Sequence, residues 1–366
     1  MPLLRKIIVQ DFRNIALAEL EFASKINCIS GSNGTGKTNL LDAVYYLSMT
    51  KSAFNYSDRY SFRHGQGAFS LSGTYEFPGA AGQSVVSVKV TGDEKKFRFD
   101  DKPCKRISGH IGRIPVVMIA PSDTQLVGDS AEERRRFLNA VLSQMDPGYL
   151  ADVQQYGRLL AARNAELKKK QAADDGLLEV IEMQMSPLAD RISAARRAFV
   201  SELSPIVGDF CGRLSGDGEK ADVRYRTELD AGPLEDQMRM FRQKDKFLGF
   251  TGCGVQRDDL VFGMDGHRIK YFGSQGQQKS FIIALKFAQY DIMRRTCGKK
   301  PILLLDDVFD KLDMRRTENL VSLVAGLDFG QIFITDSNKV RLQGIVDPVT
   351  DDRAYFDVCD GVFTRV

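Results

Sequence analysis

Eight residues near the N-terminus carry a pattern that proteins use to bind nucleotide phosphates. Gly31 to Thr38 reads GSNGTGKT, which matches G-x-x-x-x-G-K-[ST]. The pattern lies between an apolar run, Ile26 to Ile29, and a helix-like run that begins at Asn39. A glycine-rich turn between a strand and a helix directs backbone N–H groups and the helix N-terminus at one anion. We therefore predict that this loop binds ATP or GTP.

The residues of this loop have separate predicted roles. Lys37 would reach the β- and γ-phosphates, and the hydroxyl of Thr38 would hold Mg²⁺. The other loop residues would surround the phosphates, and they are Gly31, Ser32, Asn33, Gly34, Thr35 and Gly36. The alternative is a glycine-rich surface turn, which the agreement of the motif with its flanking runs disfavours.

A pair of acids far downstream completes the predicted nucleotide site. Pro301 to Asp313 reads PILLLDDVFDKLD, and an apolar run that ends in two acids is typical of a buried parallel strand opening into a ligand crevice. Asp306 would hold Mg²⁺ directly or through water, and Asp307 would polarise the water that attacks the γ-phosphate. The alternative is a core strand that runs into an acidic, solvated turn.

A third motif predicts a second phosphate-binding end. Ser274 to Lys279 reads SQGQQK, and a helix-length stretch follows from Ser280 to Arg295. A serine and a glycine at a helix start can bring a hydroxyl, backbone N–H groups and the helix dipole to one phosphate. The residues predicted to do so are Ser274, Gln275, Gly276 and Gln277. In ATPases of the ABC type, such an end faces the nucleotide held by the other subunit.

Composition excludes several other classes of protein. The chain has 366 residues, of which 43% are hydrophobic, so it can bury a full core and is expected to form two lobes. The formal net charge of +3 neither demands nor excludes nucleic acid. Six scattered cysteines and three histidines disfavour a zinc site or a disulfide scaffold and fit a reducing compartment. With no membrane-length apolar run and no signal-peptide pattern, we expect a cytoplasmic protein without a membrane partner.

The hydrophobic patterns change character twice along the chain. Short strand-like runs occupy the first part up to about Arg113, and a buried strand is predicted at Pro115 to Ile119. A helical pattern extends from about Ser130 to Arg213, and strand signals return at Val223 to Thr227 and from Leu260 onward. We predict an α/β fold with a discontinuous head, 1–120 and 251–366, and an inserted, mainly helical lobe, 121–250, that binds DNA or a partner.

The motifs together resemble those of the RecF family of SMC-related ATPases. SQGQQK upstream of LLLDD is similar to the family's signature and Walker B pair, and DFRNIALAELEF before the phosphate loop is similar to its opening. APSDTQLVGDSAEERRRFLNAVLSQ, Arg163-Asn164, GVQRDDLVF and FITDSN occupy the expected places. The resemblance implies an ABC-type head, with a mixed sheet, flanking helices and an antiparallel subdomain. An SMC coiled-coil arm is excluded, since the helical part is short and carries Pro147, Gly148, Gly176 and Pro187.

The resemblance also implies a function and further site residues. Two ATP molecules would join a homodimer that binds DNA at single-strand gaps or duplex junctions and, with RecO and RecR, promotes RecA loading in recombinational repair and the SOS response. Arg13 would contact the nucleotide phosphates or base, and Asp313 would cross the subunit interface. Thr335 or Asp336 would sense the γ-phosphate. Hydrolysis is expected to be weak, because Asp307 is one methylene shorter than the glutamate usual in ABC ATPases. We also expect DNA to stimulate it.

Two alternative functions of the chain and the role of three basic clusters stay open. The chain would otherwise be the ATPase subunit of a transporter, or a non-catalytic clamp that binds ATP only to dimerise. The clusters could line a DNA groove or could be helix faces and helix ends, and they are Arg134 to Arg136, Lys168 to Lys170 and Arg196-Arg197.

Overall fold

The computed structural model describes residues 1–79, 82–128, 130–216, 218–310, 312–326 and 328–366. The chain divides into two compact units. The first contains Met1–Asp123, Arg213–Gly216 and Ile282–Val366, and the second contains Thr124–Gly212 and Asp217–Phe281. The sequence prediction places residues 251–281 in the head. The division found in the structure places them in the second, mainly helical unit.

The secondary structure of the described residues alternates strands and helices along the chain. The strands are β1 Leu3–Phe12, β2 Ile15–Glu21, β3 Ile26–Ser30, β4 Ala68–Glu76, β5 Gln83–Thr91, β6 Glu94–Phe99, β7 Lys102–Pro103, β8 Val116–Ile119, β9 Ala221–Arg226, β10 Asp259–Met264, β11 His267–Arg268, β12 Ile302–Asp306, β13 Ile332–Asp336, β14 Arg353–Cys359 and β15 Val362–Arg365. The helices are α1 Lys37–Met49, α2 Gln125–Gly128, α3 Ala131–Met145, α4 Pro147–Leu167, α5 Asp175–Ser215, α6 Leu234–Leu248, α7 Ile269–Phe272, α8 Gln275–Cys297, α9 Met314–Gly326 and α10 Lys339–Val346. Short 3₁₀ turns occur at Asp58–Ser61, Ile107–His110, Pro121–Thr124, Lys170–Ala172, Glu228–Ala231 and Val255–Arg257.

A mixed sheet forms the centre of the first unit. Its strand order is β15-β14-β3-β13-β12-β8, and all neighbours are parallel except β15 against β14. Every residue of β3, β12 and β13 is buried. Parallel strands covered on both faces are continuous apolar runs, which explains the patterns INCIS, ILLLD and IFITD. The carboxyl ends of these three strands meet at one edge of the sheet.

An antiparallel sheet forms the rest of the first unit. Its order is β2-β1-β4-β5-β6-β7. Helix α1 packs against strands of both sheets, and ten of its thirteen residues are buried. Edge-to-face contacts among Phe12, Tyr46 and Phe69 join β1, α1 and β4, with ring centroids 5.1 to 6.2 Å apart. The helix that begins at the phosphate loop is therefore held rigidly from two sides.

The second unit is mainly helical. It contains α3, α4, α6, most of α5, and the three-stranded sheet β11-β10-β9. A buried arginine, Arg163, joins three of its segments: the guanidinium bonds Glu182 on α5, Asp245 on α6 and the hydroxyl of Thr251. Among the described residues, no helix is both long and apolar enough to cross a membrane.

The length of α5 differs from the expectation that prolines and glycines keep the helical part short. This helix has 41 residues and continues through Pro187 and Pro205, whereas Pro147 stands at the start of α4 as expected. A proline inside a helix removes one backbone donor and costs about 3 kcal/mol. Burial of Leu178, Met185 and Ile192 along one face stabilises the helix in spite of that cost. Tertiary packing thus outweighs the local signal of Pro187.

Candidate nucleotide-binding site

The phosphate loop lies where the motif predicts it, between β3 and α1. One of its glycines, Gly31, is required by close approach to the backbone, and another, Gly36, by its own backbone conformation. A Cβ at Gly31 would lie 2.4 Å from the carbonyl oxygen of Val358, and one at Gly36 would lie 2.8 Å from Oδ1 of Asn14. Gly36 also has a φ of 117°, which side chains other than glycine rarely adopt. Val358 and Asn14 therefore contact the loop from two sides and restrict its backbone conformation.

Lys37 is held inside the loop. Its Nζ donates hydrogen bonds to the carbonyl oxygens of Gly31 and Ser32, at 2.7 and 3.0 Å, and the residue is only 4% exposed. Within the described residues this buried ammonium forms no ion pair with a carboxylate, and its hydrogen bonds are to backbone carbonyls. It can exchange these weak acceptors for phosphate oxygens, which form stronger, charge-assisted bonds.

The structure brings together Thr38 and Asp306, which are far apart in sequence. The Thr38 hydroxyl lies 2.9 and 2.8 Å from the two carboxylate oxygens of Asp306. Asp306 is 2% exposed, and burial raises the pKa of its carboxyl above the ordinary value, although hydrogen bonds from Thr335 and Thr38 act in the opposite direction. A cation next to this carboxylate would favour the ionised form.

The chemistry of this pair fits Mg²⁺. A threonine hydroxyl and a buried carboxylate are hard oxygen ligands, and Mg²⁺ is commonly held by one or two such groups together with phosphate oxygens and water. No cluster of three or more histidine, cysteine or acidic side chains suited to a metal is present in the described residues. The two side chains thus match a site that a bound phosphate completes rather than a full protein cage.

Asp307 has an unusual backbone conformation. Its φ is +45°, and its N–H donates to Oγ1 of Thr335 at 3.0 Å. Aspartate and asparagine enter this left-handed region more readily than longer side chains, because their short polar groups can bond locally. The conformation gives a physical reason for an aspartate here in place of a glutamate. The carboxylate is half-buried at the end of β12, beside Asp306.

The two candidates for the γ-phosphate sensor occupy different environments. The hydroxyl of Thr335 donates to Asp306 at 2.7 Å and accepts from the N–H of Asp307, so it links the acid pair. The carboxylate of Asp336 accepts two bonds from Arg341, at 2.9 and 2.7 Å. Thr335 is therefore the candidate in direct contact with the predicted metal ligand.

Arg13 lies beside the first turns of α1, where its side chain is bonded to neighbouring residues. Its guanidinium forms an ion pair of 2.7 Å with the fully buried Asp42 and bonds Asn39 and Ser52 at 3.1 and 3.0 Å. This carboxylate holds the arginine next to the helix that follows the phosphate loop. Its contact with a nucleotide stays a prediction.

Sequence reasoning missed two supports of the loop. Asn14 donates from Nδ2 to the carbonyl of Gly34 at 3.3 Å and accepts from Asn39 at 2.7 Å. At the other end of the chain, the N–H of Gly361 donates to the carbonyl of Thr35 at 2.9 Å. The asparagine after Arg13 in DFRN was a usable signal, whereas nothing local marks Gly361.

The signature motif belongs to the second unit and forms a helix cap. The N–H of Gln277 donates to Oγ of Ser274 at 3.2 Å, and the N–H of Ser274 donates to Oε1 of Gln277 at 2.9 Å. These reciprocal bonds form a capping box at the start of α8. Ser274 and Gln275 are exposed, and Gly276 is half-buried. The motif therefore presents a fixed helix N-terminus to the surroundings.

Asp313 is also a helix cap. It is exposed, and its carboxylate accepts from the N–H of Arg316 at 2.8 Å, three residues into the segment that begins α9. Its predicted place at a subunit interface stays a prediction.

Two of the predicted groove arginines form internal ion pairs. Arg134 bonds both carboxylate oxygens of Asp259, and Arg196 bonds the fully buried Asp258 together with the carbonyl of Val255. Both guanidinium groups are buried on aspartates of the QRDD segment, so neither arginine is a solvated side chain, and a role of these clusters in DNA binding stays a prediction. Lys168 to Lys170 follow the end of α4, as the helix-end alternative expects.

Comparison with known proteins adds to this geometry. The model of the RecF/RecN/SMC N-terminal domain family matches residues 3–349. A protein of Phocaeicola vulgatus named DNA replication and repair protein RecF is 41% identical over 364 residues, covering 99% of this chain and 98% of that protein. One of the same name from Porphyromonas gingivalis is 40% identical over 98% of this chain and 99% of its own. The chain belongs to the RecF family.

Solved structures agree with membership of the RecF family. A structure described as the recombination mediator protein RecF-ATP in the RecFOR pathway superposes with a TM-score of 0.88 and 26% identity, covering 100% of this chain and 98% of the other. The Smc head domain of Pyrococcus furiosus gives a TM-score of 0.59 at 16% identity, which shows a shared fold. The predicted fold class, an ABC-type ATPase head with an antiparallel subdomain and an inserted helical lobe, is confirmed.

Proposed function

We propose that this chain is an ATP-dependent DNA-binding protein of recombinational repair, with a weak ATPase activity that DNA stimulates. The observation that carries the proposal is the contact between Thr38 and Asp306, at 2.8 to 2.9 Å. It joins the phosphate loop to the end of a buried strand, where a Mg²⁺-bound triphosphate would lie. Relatives named for DNA replication and repair support the biological role.

The roles of the site residues follow from their positions. Loop N–H groups and Lys37 would bind the phosphates of ATP, and Thr38 with Asp306 would hold Mg²⁺. When bound, Mg²⁺ neutralises charge on the phosphate oxygens. Asp307 would orient and polarise the attacking water. Its N–H donates a hydrogen bond to the hydroxyl of Thr335, which in turn donates to the Asp306 carboxylate.

Slow turnover is expected from the same geometry. The left-handed conformation of residue 307 favours a short side chain, and a short carboxylate stops further from the water than a glutamate would. A misplacement of about 1 Å can cost on the order of a hundredfold in rate. The protein would therefore remain in its ATP-bound form for long periods, as a timer for DNA release requires.

Homodimerisation would complete the nucleotide site. The cap formed by the exposed Ser274 and the half-buried Gln277 would close over ATP held by the loop of a second copy, so that ATP binding and dimerisation are linked. The dimer would bind DNA at gaps and duplex junctions in the cytoplasm and act with RecO and RecR to promote RecA loading in repair and the SOS response. The structure described for the RecFOR pathway supports these partners.

The first test of the proposal is the dependence of ATP hydrolysis on DNA. We expect turnover well below the median of about 10 per second for enzymes, and a higher rate when a gapped duplex is added. Phosphate release should be followed with no DNA, with gapped duplex and with lipid vesicles. Fast turnover that ignores DNA would contradict the proposal, and activity that depends on vesicles would favour the transporter alternative.

A further inference from the structure

A pocket of about 120 Å³ lies within the second unit, and its lining includes none of the residues assigned above to ATP. Its wall is formed by β10 and by the segment from Arg268 to Tyr271. The charged side chains that line it are Arg134, Arg226, Arg268, Lys270 and Asp259. We call these residues and the space between them the basic pocket.

The charges of the basic pocket are unbalanced. Its one carboxylate, Asp259, is already engaged by Arg134 through two bonds of 2.6 and 3.3 Å, and Arg226 lies 3.5 Å away. Within the described ranges, Arg268 and Lys270 form no ion pair. Like charges brought together without a counter-ion repel one another, so an anion bound between them would be stabilised. The pocket thus has the charge of a phosphate site.

Two exposed aromatic side chains follow these cations in the sequence, and the ring of the second, Phe272, lies against the ring of His267, with centroids 5.2 Å apart. Tyr271 lines the basic pocket and is 66% exposed, and the next residue, Phe272, is 73% exposed. The chain therefore reads R-I-K-Y-F here, with cations followed directly by rings. Proteins that bind single-stranded nucleic acid combine basic side chains along the backbone with aromatic rings on which bases stack. In a duplex the base faces are already stacked, so the rings favour an unpaired strand.

We propose that the basic pocket binds a backbone phosphate of single-stranded DNA and that Tyr271 and Phe272 stack on the neighbouring bases. The inference rests on the proposed function, since it assigns the single-strand part of a gapped substrate to named residues. Ser274 follows Phe272 by two positions, so a bound strand would lie beside the capping box of α8. The same phosphate chemistry could come from a free polyphosphate, which the experiment must separate.

The test uses the full-length protein with a non-hydrolysable ATP analogue and a fluorescent oligothymidine. Binding should be measured by anisotropy at several salt concentrations for wild type and for the double variant Arg268→Ala/Lys270→Ala. Loss of the contact with this one phosphate should reduce the magnitude of the slope of log K against log salt by about 0.7. The matched control, Arg158→Ala/Lys244→Ala, removes one arginine and one lysine from exposed positions of the same unit and should keep the wild-type slope.

A ring variant separates a strand from a duplex. Tyr271→Ala should weaken oligothymidine binding roughly tenfold, which is the lower part of the range for one stacked base, and should leave a blunt duplex nearly unaffected. Thermal unfolding of each variant checks that the fold is kept. Equal losses for oligothymidine and blunt duplex would overturn the assignment to an unpaired strand.

The remaining outcomes separate this inference from the proposed function. If wild type binds oligothymidine and the Arg268→Ala/Lys270→Ala slope is unchanged, the pocket assignment is wrong while the repair function stands. If the double variant loses a pyrophosphate site seen by calorimetry but keeps its oligothymidine slope, the pocket takes free polyphosphate and the strand assignment is overturned. If wild type binds no DNA, both proposals fail.

Discussion

Asp307→Asn is expected to lower ATP turnover by about a hundredfold or more, because a positioned general base contributes on the order of 10² to 10⁴ in rate. Asparagine has the same shape and enters the left-handed region as readily as aspartate, so the backbone at φ +45° should be kept. The substitution removes the negative charge that would polarise the attacking water. Phosphate release under single-turnover conditions, with gapped duplex present, measures the effect.

Lys37→Ala serves as the companion variant. It removes the ammonium that the loop holds at 2.7 Å from the carbonyl of Gly31, so it should lose ATP binding as well as hydrolysis. Asp307→Asn should instead bind ATP with wild-type affinity. A clamp that uses ATP only to dimerise would work in cells with Asp307→Asn and fail with Lys37→Ala. Unchanged turnover in Asp307→Asn would remove Asp307 from the proposed chemistry.

Arg163→Ala is expected to destabilise the second unit by about 3 to 5 kcal/mol, the usual cost of breaking a buried ion pair. Arg163 is fully buried, and its guanidinium contacts carboxylates of Glu182 and Asp245 at 2.8 Å. The variant would leave two buried carboxylates with fewer partners, although Glu182 keeps its bond with Arg242. The free energy of unfolding should be measured by urea denaturation, followed by the helical circular dichroism signal.

An exposed arginine provides the control for this measurement. Arg191 pairs with Asp152 at 2.8 Å, and its side chain is 56% exposed, so Arg191→Ala should cost less than about 1 kcal/mol. If Arg163→Ala lowered the free energy of unfolding as little as Arg191→Ala does, the ion pairs of Arg163 with Glu182 and Asp245 would not hold α4, α5 and α6 together. The family-like pair Arg163-Asn164 would then need a role other than stabilising these helices. Asn164 belongs to the same hydrogen-bond network, because its side chain accepts two bonds from Thr251.

Local patterns were sufficient for the parts of the site that a single segment encodes. The loop, the strand before it and the acid pair after ILLL were predicted because apolar runs mark buried parallel strands and glycines mark the turn between them. Since parallel strands end at one edge, the meeting of Thr38 with Asp306 could also be expected. The spacing S-x-x-Q at Ser274 also indicates the capping box, in addition to the phosphate-binding end predicted there.

Contacts between distant segments could not be predicted in the same way. The support of Thr35 by Gly361 depends on where the last hairpin lies, and nothing near either residue indicates it. The runs of arginine at 134–136 and 196–197 resemble a solvated groove in sequence, yet Arg134 and Arg196 are buried on aspartates more than sixty positions further on. Charge patterns do not show which charged residues find partners after folding.

We propose that ATP joins two copies of the chain through the phosphate loop of one and the capping box of the other. This dimerisation can be measured by sedimentation velocity of the purified protein with no nucleotide, ADP or a non-hydrolysable ATP analogue. Ser274→Arg blocks the cap, and Ser274→Thr keeps its hydroxyl as a control. We predict a monomer that dimerises only with the analogue, a Ser274→Arg variant that stays monomeric and a Ser274→Thr variant that behaves as wild type. An oligomeric state that does not change with nucleotide, or dimers of Ser274→Arg, would contradict dimerisation through ATP and the capping box.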